Sequence, residues 1–152
     1  MSPFSIREAG AQDVAGILAV QRQSEGAPDW NDAAWAMTLA NEGPLRRVFV
    51  AVRDGALLGF GVASVILEIA ELESIAVSPD DRRQHVGRCL CRALMAWGSE
   101  QGCAAMELEV RASNQGAQDF YRSMGFVEQG RRSKYYKSPE EDAVLMTAKL
   151  QA

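Results

Sequence analysis

Ile75-Ala-Val-Ser-Pro-Asp-Asp-Arg-Arg-Gln-His-Val-Gly-Arg88 runs from an apolar strand through a basic loop into an amphipathic helix. That is the layout of a phosphate cradle. The first N–H groups of a helix have no intrahelical partner, and the helix dipole places about half a positive charge beside them, so phosphate oxygens bind there without a dedicated side chain. Arg82, Arg83 and Arg88 add mobile positive charge, and Gln84, His85, Val86 and Gly87 complete the loop. Val86, Leu90, Ala93, Leu94 and Trp97 then form one apolar stripe, as expected of a helix packed on a sheet. A solvated basic turn capping an ordinary helix would read the same way, and the loop alone does not separate the two. Neither Gly-x-x-x-x-Gly-Lys-Ser/Thr nor Gly-x-Gly-x-x-Gly occurs between a strand and a helix, which disfavours a nucleoside triphosphatase or a dinucleotide oxidoreductase.

Working outward, 152 residues with 47% hydrophobic content fit a single domain, 1–152, with a core that needs neither metal nor disulfide. Sixteen basic against 20 acidic side chains leave a net charge of −4, which argues against a broad grip on nucleic acid or an anionic membrane. Positive charge is instead local, three arginines within residues 82–88, and suits a small polyanion. Cys89, Cys91 and Cys103 follow no zinc-ligand spacing and read as small core residues, so no metal site is expected. No signal core or membrane-length apolar run is present, and a soluble protein of the reducing cytoplasm is expected. Monomer and homodimer both remain open.

Periodicity predicts a strand over Phe4–Glu8, a helix over Ala11–Gln23, a turn at 25–29, and a helix from Asp32 to about Asn41, capped by Asn31 and ended by Gly43-Pro44. Strands Arg47–Arg53 and Leu57–Ile66 flank Asp54-Gly55, a hairpin signal, and Glu71–Val77 follows as a third. A helix over about Val86–Gln101, a strand over Ala105–Arg111 and a helix over Asn114–Met124, stopped by Gly125, come next. Phe126–Gln129, extended towards Tyr136, and Ala143–Leu150 close the chain as a strand pair. The order β-α-α-β-β-β-α-β-α-β-β implies an α/β fold with one mixed sheet and helices packed on it.

Two further segments carry candidate chemistry. In Ala105–Arg111, Met106, Leu108 and Val110 alternate with Glu107, Glu109 and Arg111, so the carboxylates share a face opposite the apolar one. On that pattern alone Glu109 is a solvent-facing carboxylate. Tyr121 shares a helical stripe with Ala117 and Met124, and by itself reads as a core aromatic with a buried hydroxyl; Phe120 is assigned to the core only.

The loop Arg82-Arg83-Gln84-His85-Val86-Gly87 resembles the acyl-CoA pyrophosphate loop of the GNAT acetyltransferase superfamily, Arg/Gln-x-x-Gly-x-Gly/Ala, with His85 in place of the first glycine. A side chain there requires a negative φ or a little strain. Leu108-Glu109-Val110-Arg111-Ala112-Ser113-Asn114, Phe120-Tyr121-Arg122-Ser123-Met124-Gly125-Phe126, Arg132-Ser133-Lys134-Tyr135-Tyr136 and Glu141-Asp142-Ala143 together are most similar to the RimI-type ribosomal-protein alanine N-acetyltransferases within that superfamily. The resemblance covers essentially the whole chain. It implies a mostly antiparallel central sheet, splayed at the cofactor site, and acetyl-CoA as donor. It also implies Glu109 as general base and Tyr121 as general acid. The backbone of Ile75-Ala76-Val77 would then hold the pantetheine arm and the oxyanion, and residues 82–88 the pyrophosphate. Asn114 caps its helix and, by resemblance, touches the cofactor arm. Glu71 and Glu73, on the strand leading to the loop, read either as solvated edge charges or as groups that attract a cationic amine. By resemblance Arg132, Tyr135, Tyr136, Glu141 and Asp142 in the C-terminal strand pair form one wall of the acceptor groove, while paired tyrosines on a hairpin equally serve to cover the sheet. The implied function is acetyl transfer to a primary amine, foremost a protein N-terminus. A small amine (polyamine, amino acid or antibiotic) and a non-catalytic acyl-CoA sensor are the alternatives.

Overall fold

In the computed structural model, which describes residues 3–24, 30–40, 45–82, 84–137 and 140–150, Asp54 and Gly55 both take positive φ, 51° and 81°. That pair of angles is what a two-residue hairpin with right-twisted strands needs, and it joins β2 (Leu45–Arg53) to β3 (Ala56–Ile66). A second tight turn at Leu67-Glu68 leads into β4 (Ile69–Val77), which therefore starts two residues before the predicted strand. With β1 (Ser5–Glu8) on one side, and β5 (Ala105–Arg111), β6 (Val127–Lys137) and β7 (Glu140–Lys149) on the other, they form one seven-stranded sheet in the order β1-β2-β3-β4-β5-β7-β6. Every neighbouring pair is antiparallel except β4 and β5. The fold is therefore the mixed, mostly antiparallel α/β sheet expected.

Helices cover both faces. Helix α1 (Val14–Arg22), entered through a 3-10 turn at Ala11–Asp13, and α2 (Asp32–Leu39) lie on one face. There Ile17, Val20 and Trp35 bury against Val48, Val50, Phe60 and Val62. Asn31 caps α2 by accepting from the Ala34 amide at 2.9 Å, as predicted, whereas the expected turn at 25–29 and the Gly43-Pro44 stop lie outside the described residues. On the other face α3 (Val86–Glu100) sends Cys91, Leu94 and Trp97 into a core with Leu72, Met106, Leu108 and Phe126. Leu94 reaches so far that a Cβ at Gly61 would lie 2.7 Å from its Cδ1. Helix α4 (Gln115–Ser123) follows β5, capped by the Asn114 side chain at 3.1 Å from the Ala117 amide.

One irregularity sets the site. Val62 pairs with Ser74, but the next residue, Ala63, pairs with Leu72, leaving Glu73 as an extra residue in β4. Such a bulge turns the strand over. Ala70 and Leu72 face α3, while Ala76, in phase with them by sequence, packs with α1 and α2. Beyond it β4 parts from β5: the parallel pairing covers only Ile69–Glu71 with Ala105–Glu107. The two strands are splayed from there onward. No helix among the described residues is long and apolar enough to cross a membrane.

The first turn of the chain is held by charge. Arg7 donates twice to the carboxylate of buried Asp13, each at 2.8 Å, and the Gly10 amide donates to the same group at 2.7 Å. The Arg7 hydrogen bonds hold the Asp13 carboxyl below its ordinary value of 3.8. A depressed carboxyl stabilises fully above its unfolded pKa and loses that contribution as pH falls through the folded one. Asp13→Asn should therefore cost about 1–3 kcal/mol in urea unfolding at neutral pH, and the gap to the parent should close as pH drops below 3.8. A gap that is constant across this range would contradict the assignment.

Candidate active site

The loop between β4 and α3 is braced from below. The Ser78 amide donates to the Leu58 carbonyl at 2.7 Å, and a 3-10 turn at Pro79–Asp81 closes with Asp81 N–H on Ser78 O at 2.9 Å. From β2, Arg53 then donates to Asp81 at 3.0 Å and to Gln84 Oε1 at 2.7 Å, while Gln84 Nε2 reaches the Asp80 carbonyl at 3.4 Å. The Gln84 side chain thus serves the scaffold of the loop. Arg82 bends back onto the Val77 carbonyl at 3.2 Å. Arg83 lies outside the described residues.

His85 precedes α3 with φ 67° and ψ 12°, in the left-handed region. The negative φ that would spare a side chain there is not adopted; this position has the backbone a glycine would take freely, at a cost of about 1–2 kcal/mol to a residue with Cβ. Helix α3 takes no capping hydrogen bond from the His85 side chain. Its first intrahelical bond is Cys89 N–H to His85 O at 3.0 Å, so the amides of Val86, Gly87 and Arg88 precede the ladder. Gly87 has no positive φ, and the nearest atoms a Cβ there would meet belong to Phe120 at 3.6 Å and Val77 at 3.7 Å, both ordinary contacts. Neither backbone geometry nor crowding within the protein demands a glycine at 87. Its missing side chain widens the space between Val77 and Phe120, a shape that fits a phosphate-bearing ligand brought close to the backbone.

That space is a cleft of about 680 Å³. On one side it is lined by Ile75, Ala76 and Val77, and at the head of α3 by Arg82, His85, Val86, Gly87 and Arg88. Asn114 and Tyr121 close it from the α4 side. Sequence reasoning missed Ser24, Asp81, Gly116 and Ala117, which also line it. Phe120, assigned to the core only, does pack on the core but lines the cleft as well. A small-residue pair in the first turn of α4 and adjacent aromatics at 120 and 121 were the available signals.

Tyr121 sits at the inner end of the cleft, 5.3 Å from the Phe120 ring and 5.7 Å from the Phe126 ring. Burial, with Cys91 and Tyr136 nearby, pushes its phenol well above the ordinary value. The hydroxyl is thus held in its protonated form. Cys91 is buried behind it, its thiol pushed up to about 12 by the same desolvation, and Cys103 is buried and free as well. Among the described residues no group of His, Cys, Asp or Glu has the geometry to hold a metal.

Glu109 opens on the opposite face of the sheet. It lines a second cavity of about 370 Å³ with Glu71, Glu107, Arg132 and the apolar turn Ile66-Leu67. Arg132 approaches its carboxylate at 3.5 Å. The Glu109 charge and hydrogen bond raise the Tyr135 phenol, whose ring also lies under the Arg132 guanidinium at 5.2 Å. Tyr136 stacks under Arg111 at 4.3 Å and is raised by burial first and Glu109 second. Tyr136 therefore lies within electrostatic reach of both Glu109 and Tyr121, where β4 and β5 diverge.

Glu71 and Glu73 lie within electrostatic reach of each other. Glu71 is raised by desolvation and then by Glu73 and Glu109, while Glu73 is taken by Arg46 at 2.7 Å. Asp142 accepts from the Lys134 amide at 2.9 Å, holding an irregular stretch of β6 where Lys134 has φ 54°. Neighbouring Glu141 accepts from Ser113 N–H at 2.8 Å and from Arg111 at 3.2 Å, which lowers its carboxyl; both acids tie β7 to β5 and β6. The left-handed backbone at 85 generates a stability test: His85→Gly should match or exceed the parent in thermal unfolding, and His85→Val should lose about 1–2 kcal/mol. Equal stability of the valine and glycine variants would show that the strain is absent.

Residues 13–126 match the family model described as the acetyltransferase (GNAT) family. The chain is 34% identical over 136 residues to the [ribosomal protein bS18]-alanine N-acetyltransferase of Escherichia coli strain K12, covering 88% of this chain and 89% of that protein. The crystal structure of the ribosomal-protein-S18-alanine N-acetyltransferase from Escherichia coli superposes with a TM-score of 0.84 at 31% identity, over 99% of this chain and 96% of that one. Ard1 from Thermoplasma volcanium gives a TM-score of 0.84 at 26% identity, over 98% and 99% of the two chains. The loop at the head of α3, the divergence of β4 from β5 and the likeness along nearly the whole chain agree, and the chain belongs to the GNAT acetyltransferase family.

Proposed function

We propose that the chain is an acetyl-CoA-dependent N-acetyltransferase of the cytoplasm whose acceptor is the N-terminal α-amino group of a protein, of the ribosomal-protein alanine type. One observation carries this reading. A cleft runs from the α3 amides that precede the helical ladder, past the side of Ile75–Val77 that pairs with no strand among the described residues, to the Tyr121 hydroxyl, and a carboxylate-lined cavity holding Glu109 lies across the diverging strands. The similarity to alanine N-acetyltransferases supports the choice of acceptor.

Acetyl-CoA supplies an acyl thioester to this site. The amides of residues 86–88 with Arg82 and Arg88 bind its pyrophosphate, and the backbone of Ile75–Val77 holds the arm as an added strand would be held and stabilises charge on the carbonyl oxygen. An α-amino group has a pKa of about 8, so Glu109 has only to take a proton from an ammonium that is already a good acid, directly or through water. Glu71 and Glu107 beside it favour a cationic amine. Once the neutral amine has added to the carbonyl, Tyr121, kept protonated by burial, gives its proton to the sulfur as the C–S bond breaks, and the second proton shed by the nitrogen returns through water to the phenolate. Arg132 and Tyr135, exposed on β6, offer a wall along which a peptide extends.

Thiol release from acetyl-CoA with a peptide beginning in alanine tests the reaction, and turnover of polyamines or amino acids in its place would move the acceptor to a small molecule. Glu109→Gln should lower kcat by about 10²–10⁴-fold, most severely at low pH, where little amine is neutral. Tyr121→Phe should lower kcat by about 10²-fold with the KM for acetyl-CoA nearly unchanged, and no alkaline loss of activity should arise from this phenol below pH 9, because its pKa is raised. A Tyr121→Phe enzyme as fast as the parent would remove that residue from the chemistry.

A further inference from the structure

On a chain of net charge −4, eight of the 13 arginines pair with a carboxylate among the described residues, Arg7, Arg46, Arg53 and Arg111 among them. Arg88 and Arg92 are different. Among the described residues neither makes an ion pair or side-chain hydrogen bond, although both are cations on the face of α3 that looks away from the core. Arg88 lines the cleft that leads to Tyr121 and also a second groove, of about 800 Å³, between α3, the end of α4 and the end of β7. Arg92 lines that groove alone. Its other charged walls are Lys149 and Glu100, and Glu100 stands two helical turns beyond Arg92, so the end that joins the cleft is wholly cationic.

Helix geometry decides what this end can reach. Residues 88 and 92 share one face, about 6 Å apart along the axis, and side chains on a helix lean towards its N-terminus. Both guanidinium groups therefore lean towards the amides of residues 86–88. A ligand with a diphosphate on those amides and a phosphate monoester one ribose away would bring the monoester to the pair. A monoester is close to doubly charged at neutral pH and is matched by guanidinium forks.

Resting on the proposed use of acetyl-CoA, we infer that Arg92, together with Arg88, binds the 3′-phosphate of the donor's nucleotide and makes the enzyme discriminate CoA from its 3′-dephospho form. Arg92 is then a specificity residue remote from the acyl group, and it acts on donor affinity without touching the chemical step.

Calorimetric binding of CoA and of 3′-dephospho-CoA, which needs no acceptor, tests this on the parent, Arg92→Met and Arg92→Lys, with steady-state kinetics on the corresponding acetyl donors. The parent should prefer CoA by about tenfold or more. Arg92→Met should lose most of that preference by weakening CoA alone, leaving the dephospho form and kcat at saturating donor unchanged, and Arg92→Lys should restore part of it. A general loss of fold would weaken both ligands equally, which separates a structural effect from recognition. CoA binding with no preference in the parent, or a preference that survives Arg92→Met, overturns the inference and leaves the proposed function standing. Discrimination without transfer to any amine upholds the inference and sinks the acceptor reading; no CoA binding at all sinks both.

Discussion

The molecule depends on a ladder that stops. Strands β4 and β5 are parallel neighbours for three residue pairs and then separate, although β4 continues to Val77 and β5 to Arg111. Backbone N–H and C=O groups are strong hydrogen-bonding partners, and a central strand that loses its neighbour must find another or remain exposed to water. The separation is held open by rigid parts. The extra residue at Glu73 turns β4 over, α3 anchors one strand through Leu72 and Ala70, and β7 pairs with β5 along its whole length. A sheet built this way keeps a gap at its centre, where the proposed donor arm would lie as an added strand.

The same gap lies between two chemically different cavities, which the proposed reaction would join into one site. Leu108 and Val110 point into the core with α3 and α4, so their neighbours Glu107 and Glu109 necessarily point to the opposite face. Tyr121 comes from α4 on the core side, in an apolar setting that keeps its proton. A carboxylate on one face and a phenol on the other meet only where the sheet is open. In the proposed reaction base and acid would act from opposite sides: the carboxylates beside Arg132, the phenol among Phe120, Phe126 and Cys91.

Much of this was legible in advance from particular residues. Asp54-Gly55 announced the hairpin, because few other dipeptides take two positive φ angles. The alternation of Met106 to Arg111 announced which side Glu109 would face, and the stripe from Val86 to Trp97 announced α3, whose Val86, Leu90, Leu94 and Trp97 are all buried. The bulge was not legible: Ala70, Leu72, Ser74 and Ala76 are all buried, so the period-two pattern runs unbroken across a strand that in fact changes face. Nor was the Arg53 brace, since an arginine 28 residues before Asp81 carries no local sign of its partner. Glu73 and Asp142, read as groove residues, have intramolecular partners in Arg46 and in the Lys134 amide, and Gln84 has one in Arg53.

What the chain determined by itself was everything governed by neighbours a few positions away: element type, hairpin turns, helix caps and the face on which each strand residue falls. Those properties follow from backbone sterics and the periods of helix and strand, which act over one or two turns. Only tertiary structure decided where the sheet parts, that His85 takes a left-handed backbone, and that Arg88 and Arg92 meet no carboxylate among the described residues. Such outcomes depend on which distant segments are brought into contact, and contact energies between them are written in no local pattern.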